Sequence, residues 1–326
     1  MHPGQGGGGS SPPPLPGAKG GISGVQEFLQ QVVNGLTIGS IYALVALGYT
    51  MVYGILKLIN FAHGELFMIG SFLAFTLIVS ANLMEHIPHP VAGLVAVFLL
   101  VALMVAVIGL ILERVAYRPL RRSSRLAPLV SALGASIFLQ NAIMLVYGGG
   151  YLVFPENLVP NIEWSVGGIN IGLMRVIILA LSISLMLFLY LLVQKTRLGA
   201  AMRACSLDHD TARLMGINVD RIIALVFVIG PALGAIAGIM VGMYYRQINF
   251  TMGWAYGLRA FTAAILGGIG NIPGAMVGGL LLGILETIGA GYVAAAWKDV
   301  VAFIILILIL ILRPTGLLGE RVAEKV

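Results

Sequence analysis

Residues 91–112 read VAGLVAVFLLVALMVAVIGLIL, a run without one charged, amide or hydroxyl side chain. Wound as a helix at about 1.5 Å per residue it is about 33 Å long, enough to cross the roughly 30 Å hydrocarbon layer of a bilayer. Similar segments lie on both sides of it, at 34–56, 65–83, 127–147, 173–193, 222–245, 274–293 and about 294–312. The last contains the uninterrupted run Val300–Leu312 and reaches full length only by including Lys298 and Asp299. A further piece, Arg259–Gly270, is too short for an ordinary span and reads as a half-helix or re-entrant segment. The expected fold is all-α and polytopic, with about eight or nine membrane segments, some of them broken or re-entrant.

Composition agrees. Of 326 residues, 59% are hydrophobic and 10% charged, and the mean hydropathy is +1.00. Soluble domains carry roughly 25% charged residues. This polarity deficit excludes a soluble enzyme and a nucleic-acid-binding domain, and a single cysteine, Cys205, excludes a disulfide scaffold. Most of the 43 glycines sit inside apolar runs, where small residues let helix backbones approach closely. Residues 1–25 are different in kind, a Gly/Pro/Ser-rich stretch expected to be a disordered tail ahead of a transmembrane domain at 26–326.

The formal charge of +6 follows topology rather than nucleic acid. Residues 113–126 hold Arg114, Arg118, Arg121, Arg122 and Arg125, and residues 195–221 hold Lys195, Arg197, Arg203, Arg213 and Arg221. Arg313, Arg321 and Lys325 follow the last apolar run. Basic loops stay in the cytoplasm, so these segments and the C-terminus are expected there. The loop 148–172, with Glu156 and Glu163 but no Lys or Arg, is expected outside. From an outward loop at 246–258 to a cytoplasmic tail the chain must cross an odd number of times. Either 259–270 crosses or one of the two spans after it does not, and the side of the N-terminus stays open in the same way.

Two junctions carry polar residues between apolar segments. In the first, Asn60, His63, Gly64 and Glu65 follow Lys57. A Glu at the bilayer centre costs about 2.5–3.5 kcal/mol on insertion scales, which a helix N-terminus offsets. Glu65 therefore fits the first turn of a broken helix, and it fits an interfacial loop equally. His63 reads as a packed core histidine before it reads as a ligand. The second junction runs through Gly267–Gly270 to Asn271, Pro273 and Gly274, where Asn271 can cap and Pro273 suits a first helical turn. Gly274 with Gly278 and Gly279 with Gly283 are small-xxx-small pairs, and Glu286 lies later in the same span. Paired interruptions in two halves of a membrane chain point to a transport pathway. There is no phosphate loop, no nucleophile elbow and no metal-ligand spacing, and nothing calls for a cofactor.

The loop 195–221 contains Asp210-Thr211-Ala212-Arg213-Leu214-Met215-Gly216, which is similar to the E-A-A-x-x-x-G pattern of bacterial ABC-transporter permeases. Other stretches are more specific: Asn34-Gly35-Leu36, Gly39–Leu44, Ala46–Thr50, Ile59–Glu65, Glu113–Pro119, Ser136–Asn141, Phe261–Gly270 and Pro314-Thr315-Gly316. Across about 26–326 these resemble the LivH-type permeases of high-affinity branched-chain amino-acid ABC transporters. The resemblance implies the permease subunit of an ATP-driven importer in a bacterial inner membrane, translocating Leu, Ile and Val. It implies a second related permease, two ATPase subunits and a periplasmic substrate-binding protein as partners, with membrane lipid around them and no nucleic acid. The chain would not itself be an enzyme. It also implies that Asp210, Thr211, Ala212 and Gly216 belong to a short helix docked on an ATPase. Related permeases serve urea or short amides. A proton-coupled secondary transporter using Glu65 or Glu286 is the rival class, and it has no use for a docking helix.

Overall fold

A computed structural model describes residues 24–319 except Arg122 and Arg125. The expected tail, apart from Gly24 and Val25, lies outside the described residues, as do Arg122, Arg125, Arg321 and Lys325. The chain forms α1 (Gly24–Leu56), α2 (His63–Phe75, prolonged by a π-turn, Thr76–Ser80) and α3 (Pro90–Leu112). A π-turn, Glu113–Tyr117, and a 3-10 turn, Arg118–Leu120, finish α3. Next come α4 (Leu126–Tyr147), β1 (Leu152–Val153), the hairpin β2 (Glu163–Val166) and β3 (Ile169–Gly172), and α5 (Leu173–Lys195). Two short helices, α6 (Arg197–Leu207) and α7 (His209–Leu214), lead to α8 (Val219–Tyr245), β4 (Gln247–Ile248), α9 (Met252–Gly267), α10 (Ile272–Tyr292) and α11 (Lys298–Leu312).

Among the described residues seven helices are long and apolar enough to cross a membrane: α1, α2 with its π-turn, α3, α4, α5, α8 and α10. The expected count of eight or nine is reached only if α9 and α11 are counted with these seven. The segment expected at 294–312 is the 15-residue α11, and 259–270 is the 16-residue α9, both short of a full span. Two further boundaries differ. The expected outward loop 246–258 is helical from Met252, and α1 begins ten residues before 34.

Contacts fix the direction of each helix. Gln26 donates to the Gly167 carbonyl at 3.1 Å, and Gln30 both donates to and accepts from the Asn170 backbone, so α1 starts at the β2–β3 hairpin. It finishes at the opposite end, where the His209 ring nitrogen of α7 lies 3.0 Å from the Ile55 carbonyl. β1 pairs with β4 at the hairpin end, closing α8 there. The backbone N–H groups of Leu317 and Leu318 donate to the carbonyls of Leu266 and Gly267, which ties the chain after α11 to the last turn of α9 at the α7 end. Helices α9, α10 and α11 therefore run in alternating directions after α8, and residue 24 lies on the hairpin side.

Side-chain caps gather at the α7 end. Thr196, Asp208 and Asn218 cap α6, α7 and α8 through bonds of 2.8–3.1 Å to backbone N–H groups. Such bonds replace water for the first amides of each helix.

Helices α1, α2, α8, α9 and α10 make the centre. In α1, 94% of the most apolar stretch is buried, against 11% in α4. The exposed sides of α3, α4, α5 and α11 carry Leu103, Phe138, Leu187 and Ile307, as expected where lipid or another subunit is the solvent. Glycines set the central spacing. On α10, Gly279 and Gly283 lie against Ala43 and Gly39 of α1, while Gly274 and Gly278 lie against Gly267 and Ala263 of α9. Each small-xxx-small pair serves a different neighbour.

Candidate functional site

The first junction turns back into the bundle. Lys57 leaves α1 with a left-handed φ of 54°, and α2 starts at His63, deep between α1 and α8. The His63 Nε2 atom lies 3.2 Å from the Val45 carbonyl, about 16 Å of helical rise above the end of α1. Its ring meets Tyr49 edge-on, with centroids 4.8 Å apart, and is fully buried. His63 is a packed core residue.

Glu65 occupies the first turn of α2 and is 1% exposed, so the broken-helix reading holds and the interfacial-loop reading does not. Its Oε1 accepts from Ser136 of α4 at 3.2 Å, while Oε2 has no hydrogen-bond partner and faces Gly253 of α9. A side chain at Gly253 would strike that oxygen, and a Cβ at Gly257 would sit 3.1 Å from the Tyr49 hydroxyl. These glycines are where α9 lies directly on the start of α2. Asn60 accepts from the Tyr117 hydroxyl at 2.7 Å, and its Nδ2 is unpartnered, like His63 Nδ1. A cavity of about 10 Å³, lined by Tyr49, Phe61, Gly253, Trp254 and Phe261, separates the junction from α9. That is room for one water.

The second junction lies elsewhere. Gly268 and Gly270 take φ of 106° and 97°, and Asn271 caps α10 by accepting from Gly274 N at 2.9 Å. Asn271 also donates to the Leu318 carbonyl at 2.8 Å, and Pro273 fills the first turn. All of this is at the α7 end, where Gly270 lies beside Gly54 of α1. Asn271, Pro273 and Gly274 are therefore not brought together with Glu65. Glu286, fully buried about 18 Å farther along α10, has Arg259 Nε and Lys298 Nζ each 3.4 Å from its Oε1. Arg259 also pairs with Asp299 and lies over the Tyr256 ring, which stacks on Phe67 of α2 at 5.1 Å. The result is two polar clusters flanking α9, one at Glu65 and one at Glu286.

Sequence reasoning missed Ser136, Gly253, Gly257, Tyr117 and the pair Arg259–Asp299. A legible signal existed for the last. Arg259, Lys298 and Asp299 are charges inside or beside apolar runs, and such charges seek partners in the bundle interior. A cavity of about 400 Å³ opens at the hairpin end among Glu156, Glu163, Arg175 and Arg246, away from both clusters.

At the other end, Asp210 pairs with Arg213 at 3.0 Å, and Thr211 donates its N–H to Asp208. Gly216 takes a φ of 82° and ends α7, its N–H bonded to the Arg213 carbonyl. Ala212 is buried against the bundle, so Ala212 and Gly216 do not share an outward face. The outward apolar side chains are Leu207, Leu214 and Met215, each more than three-quarters exposed. Burial pushes the Cys205 thiol up from its usual range.

Seven helices long and apolar enough to cross a membrane, with one central helix that begins inside the bundle and carries a buried carboxylate in its first turn, are the architecture of a polytopic membrane protein. Residues 31–310 match the family described as branched-chain amino acid transport system, permease component, and the chain belongs to it. It is 50% identical over 305 residues to the high-affinity branched-chain amino acid transport system permease protein BraD of Pseudomonas aeruginosa, covering 93% of this chain and 99% of BraD. To LivH of Escherichia coli it is 48% identical, covering 92% and 98%. The ribose import permease protein RbsC of Escherichia coli is 27% identical over 79% of this chain and 77% of its own.

Proposed function

We propose that residues 26–326 form the translocation domain of an ATP-driven importer of leucine, isoleucine and valine in a bacterial inner membrane. The observation that carries this is identity near 50% over almost the full length of BraD and LivH, both named for branched-chain amino acid transport. The likeness to a ribose permease means the helical frame alone does not name the solute. Nine segments, α9 and α11 included, are embedded in the membrane. The α7 end, with Arg114, Arg118, Arg121, Lys195, Arg197, Arg203, Arg213, Arg221 and Arg313, faces the cytoplasm together with the C-terminus.

A solute delivered by a periplasmic binding protein crosses between this chain and a second permease, along α9. Glu65, Gly64, His63 and Asn60 border the path at mid-depth, Glu286 lies behind it, and Asn271, Pro273 and Gly274 form its cytoplasmic rim. Glycine at 253 and 257 supports this, because it leaves only backbone between the Glu65 carboxylate and the outer face of α9.

Of two separate ATPase subunits one docks on α6–α7, with Asp210, Thr211 and Gly216 shaping the segment and Leu207, Leu214 and Met215 making contact. Large apolar side chains exposed on short polar-capped helices suit a protein partner. Replacing Leu214 and Met215 together by Asp should cut ATPase co-purification and uptake about tenfold or more, with membrane insertion unchanged. Wild-type co-purification would refute the docking assignment. Gly216→Arg is a poorer test, because a φ of 82° strains any side chain there.

A further inference from the structure

The α7–α8 connection reaches the first junction by two routes. One is the direct contact of His209 with the Ile55 carbonyl in the last turn of α1. The other passes through α3. Asp220, in the first turn of α8, accepts from Arg121 Nη1 at 2.6 Å and lies 3.7 Å from Arg118 Nη2. Arg121 also pairs with Glu113, which is 1% exposed. Glu113 and Tyr117 begin and end the π-turn of α3, and the Tyr117 hydroxyl donates to Asn60 inside the junction. The Tyr117 ring packs on Phe227 of α8 with centroids 5.0 Å apart, and Ser131 of α4 donates to the Ala116 carbonyl within the same turn.

Stable packing alone does not call for this arrangement. A π-turn carries one residue more than an α-helical turn and tends to mark a functional position. Relaxing it to α-helical pairing rotates the residues beyond by about 100°, which would carry Tyr117 away from Asn60. The junction is ready to respond, because Lys57 holds an uncommon left-handed conformation and the Asn60 side chain has its carbonyl bonded to Tyr117 and its amide nitrogen free.

We propose that Tyr117 is a positioning residue for transport, whose bond to Asn60 carries the state of the α7–α8 connection to the Asn60–Glu65 junction through Asp220, Arg121 and Glu113. This rests on the reading of α6–α7 as the ATPase-docking segment. A movement of α7 displaces Asp220, Asp220 releases or pulls Arg121, and the π-turn passes the change to Asn60. The start of α2, and the Glu65 carboxylate on it, then shifts against Gly253.

The test uses the whole importer in proteoliposomes. Tyr117→Phe removes one hydroxyl. It should lower leucine uptake per ATP hydrolysed about tenfold while ATP hydrolysis stays within about twofold of the unaltered complex. Asn60→Leu should lower uptake per ATP similarly, and the double variant should lose no more than the worse single one. A second readout does not depend on transport. With Phe61→Cys in a Cys205→Ala chain, the thiol-labelling rate should change about fivefold between nucleotide-free and vanadate-trapped complexes, and less than about twofold once Tyr117→Phe is added. Unaltered uptake per ATP, multiplicative losses in the double variant, or an equal labelling change in both backgrounds would overturn the proposal. So would a Tyr117→Phe chain that fails to insert, because the hydroxyl would then be merely structural. An unaltered complex without ATP-driven uptake would instead refute the docking reading itself.

Discussion

Replacing Gly283 by valine should strongly destabilise the folded protein in the membrane. A Cβ at this position falls on the Cα and N of Gly39, and on the Gly35 carbonyl one turn away. All three are backbone atoms, so no side chain can swing aside. The α1–α10 contact repeats this pattern, with a Cβ at Gly35 only 2.6 Å from the Ile284 Cα and one at Gly39 2.8 Å from the Gly279 carbonyl. Overpacking a close contact costs about 1–3 kcal/mol, and here two central helices must separate along their length, so about 3 kcal/mol or more is expected. Thermal unfolding of the detergent-solubilised chain would measure it. A midpoint equal to that of the unaltered chain would mean that α1 and α10 do not meet through their glycines.

Nearly as large an effect is expected for Glu286→Leu. The carboxylate is fully buried between Arg259 and Lys298, and its loss leaves both largely buried cations with only the mostly exposed Asp299. Lys298, with a quarter of its side chain exposed, can turn its ammonium outward, whereas Arg259 is held over Tyr256. Removing one partner of a buried ion pair costs about 3–5 kcal/mol, and the partial exposure of the cations places this case near the lower figure. Adding Arg259→Leu should recover part of the loss, because the stranded charge then goes too. A double variant less stable than the single one would show that Arg259 is held by something other than Glu286.

What the sequence made legible were runs of apolar residues, and these became the helices. The frame of α3, α4, α5, α8 and α10 could be read within a few residues because lipid imposes one demand along the whole length of each. Polar residues were misread wherever their partners lay far off in the chain. Gln26 and Gln30 look too polar for a membrane helix, yet α1 starts at Gly24 because the hairpin near residue 168 receives both. Gly253 and Gly257 read as loop residues, yet they lie inside α9, and their smallness answers Glu65 and Tyr49 on other elements. Arg259 seemed to bound an apolar piece, and Glu286 and Asp299 let the helix run straight through it.

The candidate site divides the same way. The junction Asn60–Glu65 was visible because charged and amide residues there interrupt an apolar pattern. That Glu65 is buried, and that Asn271 sits at the far end of the bundle, depended on how deep α2 starts, and no local signal carries depth. Ala212 shows a further limit. The resemblance placed it with Gly216 in one docked helix, but α7 ends at Leu214, and Ala212 turns inward.

The central claim is that this chain moves its solute only when separate subunits hydrolyse ATP. The measurement that bears on it most directly is radiolabelled leucine uptake into proteoliposomes holding the chain with its second permease, ATPases and binding protein. One preparation is given internal ATP, and the other is given only an imposed proton gradient. ATP should drive accumulation and the gradient alone should not. Omitting the ATPases should abolish uptake. Accumulation of leucine by the chain alone on a proton gradient would contradict the account and make Glu65 or Glu286 a proton site.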